Sequence, residues 1–457
     1  MNSKATFGAV ALLALGASPL LAQKGGEQPA PGMAGSRNMR VAAHIPLEGP
    51  LEVADIEIEQ ELSRPYVYIP IRVKDAGFYI IDIKNLDKPR VLWRFTIENP
   101  ELHRGSGLGP AYVKTKGRYY YANSFQFNAD GPDGDLGMIV FDVTGLPDTT
   151  KIKEVARVRE PRAPGGFHEI FAYKHSSGAS LIFTDVGGRV GGQNVYDVDK
   201  MVSGAPQFGL VGNIPNPTST DSARRGYHDS YVGFDPVSQQ DRFYGAGSGG
   251  FHIYDVTDLA NPKLITSAQG ISGMSGGHTF TPTPDGRYAG AESEYQYAPL
   301  RIIDLKPPAP ANAPANANAA AQATRPRVIG AYTARWQGLP HNHEVRWPYV
   351  FVSHYEEGIQ VFNMMDPTNP YTVAYYDHYD GPIAIGAMGG GVGNGSFGVD
   401  VRNTDGLIVS SDLTTGFWAF YMEGFNGWNG HQWGMPNVSS AQDWDNGPDG
   451  LQKKKVS

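Results

Sequence analysis

The chain has 457 residues, 38 basic against 46 acidic for a formal net charge of -8, with 57 Gly, 34 Pro, 24 Tyr and no cysteine. The acidic balance argues against nucleic acid or an anionic membrane as the main partner, and the lack of cysteine excludes a disulfide framework and a lipid-attached N-terminus. Long amphipathic helical patterns are absent, and the Gly, Pro and Tyr suit short twisted strands joined by tight turns, an all-β composition.

Residues 1–22 carry a lysine, an apolar run and then small residues ending at Ala22, the pattern of a secretory signal cleaved after that alanine. The run is too short to span a bilayer, so the expectation is an exported protein, periplasmic or extracellular, that is not a lipoprotein. Residues 23–38 are polar and rich in Gly and Pro, a disordered leader. MRVAAHIPL (39–47) then reads as an outermost strand without the three inner strands that should precede it.

Seven copies of one short strand follow: YIIDI (79–83), IVFDV (139–143), NVYDV (194–198), HIYDV (252–256), RIIDL (301–305), QVFNM (360–364) and WAFYM (418–422). Their acidic or substitute slot is Asp82, Asp142, Asp197, Asp255, Asp304, Asn363 and Tyr421, at intervals of 49 to 60 residues. A period of that size is one four-stranded blade per repeat. The seventh repeat has inner strands near 397–401, 407–411 and 417–422 but no fourth, so the strand at 39–47 is expected to complete it and leave no long free edge. The fold class predicted is an all-β, seven-bladed β-propeller over 39–422, its last blade closed by the N-terminal strand. Blade five is interrupted by an Ala/Pro/Asn tract at 306–326 that cannot pack a core. The tail at 423–457, with Trp428, Trp433 and Trp444 among glycines, is expected to pack over one face of the ring.

Several repeats continue into a turn and a proline: NLDKP (85–89), DLANP (258–262) and DPTNP (366–370). Proline ends a strand there, and the adjacent Asn and Asp supply turn hydrogen bonds. At these residues the chain resembles the LVIVD-repeat proteins, bacterial secreted or cell-surface propellers, best over 358–376. The resemblance implies a fold and a location but names no reaction.

In four successive blades the innermost strand begins with histidine: FHEIFAY at His168, YHDSYVGF at His228, GHTFTPT at His278 and HNHEVRW at His341 and His343. From His168, His228, His278 and His343 to the acidic slot of the same repeat is 29, 27, 26 and 20 residues, so these four are read as equivalent. Innermost strands line a propeller's central channel, so residues remote in sequence converge there. Neutral imidazoles pointing inward at one level suit zinc, copper, iron or nickel. Blades one, two and seven lack the histidine, with Asp55, Gly109 and Gly395 nearby, which would leave one side of the channel open. His103 sits at the wrong offset and ranks lower.

The loop joining a blade's second and third strands lies on the same face as the loop entering its first. Asp185, Glu292, Glu294, His354 and Asp412 end second strands and are therefore expected around the same mouth, as partners that orient the imidazoles or as acid/base groups. Glu169, Asp229 and Glu344 follow three of the histidines and, by strand alternation, are expected to point away from the axis. The constellation is similar in kind to the copper site of the selenium-binding proteins, which act as methanethiol oxidases, and to the multicopper centre of nitrous oxide reductase. The cysteines some selenium-binding proteins use are missing.

Weaker signals are read as structural. DGPDGDLG (130–137) lacks the bidentate glutamate of a calcium loop and suits a turn, GAMGGGVGNG (386–395) precedes no helix and suits a loop over the mouth, and RRGYHD (224–229) places two arginines beside His228. No GxSxG or HExxH motif occurs. The leading expectation is a metal centre of His168, His228, His278 and His343, with His341 or His354 as further ligands, holding copper first and zinc or iron otherwise. If the protein is an enzyme, it is a metal-dependent oxidoreductase on a small molecule at the channel mouth, with Glu292, Glu294 or Asp412 managing protons. The alternative is a non-catalytic module that presents its polar face to a surface protein or glycan.

Overall fold

The computed structural model describes residues 34–47, 53–72, 75–100, 106–127, 131–186, 191–217, 226–274, 276–306, 325–379, 381, 394–430, 442–448 and 450–452. The expected signal, most of the leader, His103, the two arginines before His228, Trp433, most of the blade-five insertion and most of the glycine-rich run lie outside them. Seven four-stranded antiparallel sheets form the blades of a propeller.

The N-terminal strand Met39–Ile45 is the outermost strand of the seventh blade, as the repeat count requires. It pairs antiparallel with Gly416–Met422, from Met39 opposite Met422 to Ile45 opposite Phe417. The seven blade interfaces each hold one apolar cluster. Ile58, Ile69 and Ile81 of blade one, for example, pack against Leu407, Val409 and Phe417 of blade seven, and Ile302 of blade five packs against Val352 and Phe362 of blade six. Burying one such aliphatic or aromatic side chain contributes about 1.5–3 kcal/mol. The cores are continuous around the circle, so closing the ring leaves no sheet face exposed.

The repeated slot has a physical reason. It ends the third strand of each blade, and its side-chain oxygen accepts the backbone N–H two residues on at Asp82, Asp142, Asp255, Asp304 and Asn363, or three on at Asp197. That is the Asx turn, which asparagine makes as well as aspartate. Tyr421 departs from it, and its hydroxyl donates to Asp405 at 3.2 Å. The acids at 133 and 135 ion-pair with Arg159, so the run around them is a stapled turn.

All innermost strands run from one face of the ring to the other. Residues 442–448 and 450–452 of the tail lie on the far face, where Trp444 packs beside Tyr112, Asp445 pairs with Lys114 at 2.6 Å and the Gly450 carbonyl accepts from Gln239 at 2.9 Å. Trp428 instead joins the core between blades six and seven, its Nε1 donating to the Trp347 carbonyl. Among the described residues no helix is long and apolar enough to cross a membrane.

Candidate functional site

Four imidazoles stand side by side at the near end of the channel. Ring centroids are 4.2 Å apart for His168 and His228, 4.0 Å for His228 and His278, and 4.7 Å for His278 and His341. The fourth member is His341, not His343. The backbone N–H of His278 donates to the Glu292 carbonyl, and that of His341 donates to Ser353 in the corresponding way. Thr279 then meets Asn342, and Thr281 meets the His343 carbonyl. His343 lies two residues deeper, its ring turned between blades against Gly290, where both ring nitrogens lack a hydrogen-bond partner. Its offset of 20 residues reflects shorter hairpins in blade six and does not mark an equivalent place.

The other candidates separate in the same way. Glu292 and Glu294 reach the cluster: Oε1 of Glu292 is 2.6 Å from Nδ1 of His278, and Oε2 of Glu294 is 3.5 Å from its Nε2. Glu294 also lies 3.9 Å from Nε2 of His341 and accepts from the Tyr355 hydroxyl at 2.5 Å. Tyr355 was not among the residues picked out from the sequence. Asp185 accepts the backbone N–H groups of His168 and Glu169 at 2.6 and 3.0 Å and so fixes that strand entry. His354 does not join the ring: its Nδ1 pairs with Glu357 at 2.8 Å, and its ring packs beside Gly338. Asp412 is likewise displaced from the expected role, because it caps its own turn through the N–H groups of Thr414 and Thr415 and lies 2.5 Å from Nδ1 of His378.

The side of the mouth expected to be open is a wall. Ala54, Leu108 and Phe397, from blades one, two and seven, pack with Leu339, Tyr355 and Leu413 into a buried apolar cluster. Phe397 lies 4.0 Å from the His341 ring, and its carbonyl accepts from His341 Nδ1 at 2.6 Å. A carbonyl only accepts, so Nδ1 carries the proton and Nε2 keeps its lone pair. Gly395 takes a positive φ of 85° where a side chain would strike the Tyr355 carbonyl.

Electrostatics divides the four rings. Burial, the His278 charge and Arg72 lower His168 to about 3. Burial and the same charge hold His228 and His341 well below the ordinary histidine range. Burial opposes charge on His278 too, but Glu292, Glu294 and Asp229 outweigh it and hold that imidazole up to about 9. Three neutral rings and one charged ring thus share a space walled on one side by apolar residues. The donor atoms of His228, His278 and Glu294 lie within 4.8 Å of one another, and His228 Nδ1 and His278 Nε2 are buried without a hydrogen-bond partner. An ion bonded at about 2.1 Å to each tetrahedral ligand needs donors about 3.4 Å apart. A contraction of roughly an ångström brings this set to that spacing.

Below the histidines the channel is acidic, which reverses the expectation for Glu169, Asp229 and Glu344. These three and Asp55, Glu57 and Asp400 line one axial cavity of ≈ 80 Å³. Period-two alternation fails here because His168, His278 and His341 precede the regular inner strands Ile170–Lys174, Phe280–Pro282 and His343–Arg346. In blade four a bulge between Tyr227 and Asp229 has the same effect. The imidazole turns up toward the mouth and the next side chain turns down into the channel. Burial and the neighbouring carboxylates push Asp55, Glu57 and Glu169 well above the carboxylate range, Asp229 to about 6 and Asp400 to about 7.

The chain is similar in fold to WD40 propellers. The WD40 β-propeller domain of Doa1 superposes with a TM-score of 0.51 at 10% identity, over 84% of this chain and 98% of that one. The β-propeller domain of Myceliophteria thermophila Cps50 (Swd1) gives 0.50 at 12% identity, over the same shares. No protein-family model matches the sequence, and the comparison with curated proteins finds no match. At these identities the likeness establishes the seven-bladed fold and nothing further.

Proposed function

We propose that the tier of His168, His228, His278 and His341, closed by Glu294, binds one transition-metal ion. The reading rests on one observation: His228, His278 and Glu294 each bring a ligand atom within 4.8 Å of the others, in a tier where His228 Nδ1 and His278 Nε2 are buried without a hydrogen-bond partner. Imidazole with one carboxylate favours copper among the divalent ions, with zinc or iron next. His168 and His341 supply the further neutral rings, and Glu292 orients His278 through Nδ1.

A bound copper or iron would supply one-electron chemistry. The chain's own part is then to exclude water with Leu108, Phe397 and Tyr355 and to hold a proton between Glu294 and the Tyr355 hydroxyl. An LVIVD-type propeller exported through residues 1–22, with its metal serving an oxidoreductase reaction on a small molecule, is the function this reading carries. The test is metal analysis of untagged protein from the exported fraction. We expect about one equivalent of copper, zinc or iron, lost in the His228→Ala, His278→Ala double variant with the ring still folded. Less than about a tenth of an equivalent, unchanged on reconstitution, points to a module that binds a surface protein or glycan.

A further inference from the structure

The histidines share their mouth with an arginine. Arg72 follows Tyr66–Ile71, the second strand of blade one, and so stands where Asp185, Glu292 and Asp412 stand in blades three, five and seven. Its guanidinium carbon is 5.3 Å from the centroid of the Phe397 ring, which in turn is 4.0 Å from the ring of His341. Burial is the main cause that holds His168 and His341 below the ordinary histidine range, and the Arg72 charge adds to it at both. A charge acts on two rings in this way only from close by. The guanidinium therefore lies over the apolar wall, within reach of both ends of the histidine row.

This cation has no counter-ion among the described residues, and its Nη1 is buried without a hydrogen-bond partner. The carboxylates around the mouth are engaged elsewhere: Asp185 accepts the N–H groups of His168 and Glu169, Glu292 faces His278, and Glu294 accepts from Tyr355. Leaving a guanidinium N–H buried and unpaired costs the full desolvation penalty of a charged group. Buried arginines elsewhere in the ring avoid that cost, as Arg64 does on Glu59 at 2.5 Å and Arg346 on Glu344 at 2.6 Å. The rest of the Arg72 side chain is half-exposed, as are His168, His228 and Glu294, whereas His278, His341 and Tyr355 are buried. A molecule entering the mouth thus meets a cation whose charge no acid has taken.

We propose that Arg72 recognises the substrate of this mouth and that the substrate is a small organic carboxylate. Two parallel N–H groups of a guanidinium match the two oxygens of a carboxylate in one plane, a fit that an ammonium lacks. A carboxylate there supplies the absent counter-ion and an acceptor for Nη1, and it holds its attached carbon on the side of the tier where His168 and His228 are half-exposed. A free inorganic oxyanion offers the same oxygens, and the arms of the test separate the two. Naming the substrate rests on the histidine tier being a metal centre; the anion site itself does not.

The test titrates the full chain, both stripped with EDTA and loaded with zinc, with benzoate, its uncharged isostere benzamide, and inorganic phosphate, read by calorimetry. Benzoate is expected to bind the stripped protein at least about tenfold tighter than benzamide, and Arg72→Gln to lower benzoate affinity about 10- to 100-fold, the worth of a charge-assisted hydrogen bond. The same variant leaves benzamide binding and zinc uptake unchanged, and Arg72→Lys recovers only part of the loss. His228→Ala with His278→Ala loses zinc but leaves benzoate affinity of the stripped protein within about threefold. Benzoate no tighter than benzamide overturns the proposal, and so does benzoate affinity that survives Arg72→Gln. Binding that needs zinc and vanishes in the histidine double variant overturns it too, because the metal is then the acceptor. Phosphate that binds tighter than benzoate overturns the organic carboxylate in favour of a free oxyanion. Should Arg72→Gln not fold, phenylglyoxal modification of the native chain decides: benzoate is expected to slow it at Arg72 and not at the exposed Arg40, and equal rates with and without benzoate overturn the proposal. Zinc uptake that fails while the benzoate response holds counts against the histidine reading alone.

Discussion

Glu292→Gln separates the two things Glu292 does for His278, and pH reads them apart. In the native protein His278 is held up to about 9, so its Nε2 must lose a proton before it can donate to a metal. At pH 7, two units lower, proton competition weakens metal binding about 100-fold, or about 2.7 kcal/mol. Glutamine keeps an acceptor 2.6 Å from Nδ1 but removes the charge. The proton is then lost at lower pH, while the weaker orienting contact costs about tenfold in affinity, the low end for such partners. Measured by competition against a chelator with zinc as the probe, the native affinity should rise about tenfold per pH unit from 7 to 9. The variant's profile should be nearly flat, weaker than native at pH 9 and equal or tighter at pH 7. Parallel profiles for the two proteins would refute the reasoning, because Glu292 would then not be what holds that proton.

Three further outcomes follow from the geometry. His341→Ala should lower zinc affinity at least tenfold, whereas His343→Ala should leave it within about twofold and lower stability instead; equal effects on zinc titration would return His343 to the site. Asp412→Asn should leave zinc affinity unchanged and cost about 2 kcal/mol in urea unfolding through the lost contact with His378, and a lost metal would contradict its placement. Asp400 is raised from 3.8 to about 7 in the fold, so between those values the folded chain holds a proton that the unfolded chain has released, and stability falls as pH rises through that window. Asp400→Asn should therefore gain on the native protein by on the order of 2–4 kcal/mol between pH 4 and 8; a pH-independent difference in unfolding free energy would contradict the buried, proton-holding carboxylate.

Much of the candidate site was legible, for reasons that can be named. Glu292 and Glu294 follow from hairpin geometry, because a second strand ends where the first begins. His354 and Asp412 satisfy the same rule and still miss, since each is claimed by a nearer partner, Glu357 and His378. Nothing in the local pattern separates His341 from His343, since Asn342 and Glu344 both extend the polar series of Glu169, Asp229 and Thr279 that follows the true members; the fold makes the choice, with Asn342 donating across to Asp55 at 2.7 Å. Tyr355 carries no sequence signal, because its contact with Glu294 joins residues 61 apart through two different blades.

The amino-acid sequence by itself determined the number of blades, the Asx turn that ends the third strand of every blade but the seventh and the borrowing of the N-terminal strand. These rest on local hydrogen bonds and on a period that repeats whatever the neighbours do. Which side chains face the axis was decided only by the tertiary structure. The histidines sit where the inner strands begin, ahead of regular pairing or at a bulge, and there the two-residue alternation gives no direction. What turns the imidazoles up to the mouth and the carboxylates down into the channel is the closed circle of blades, whose contacts join residues 50 to 63 positions apart around the tier and 287 apart where Asn342 reaches Asp55.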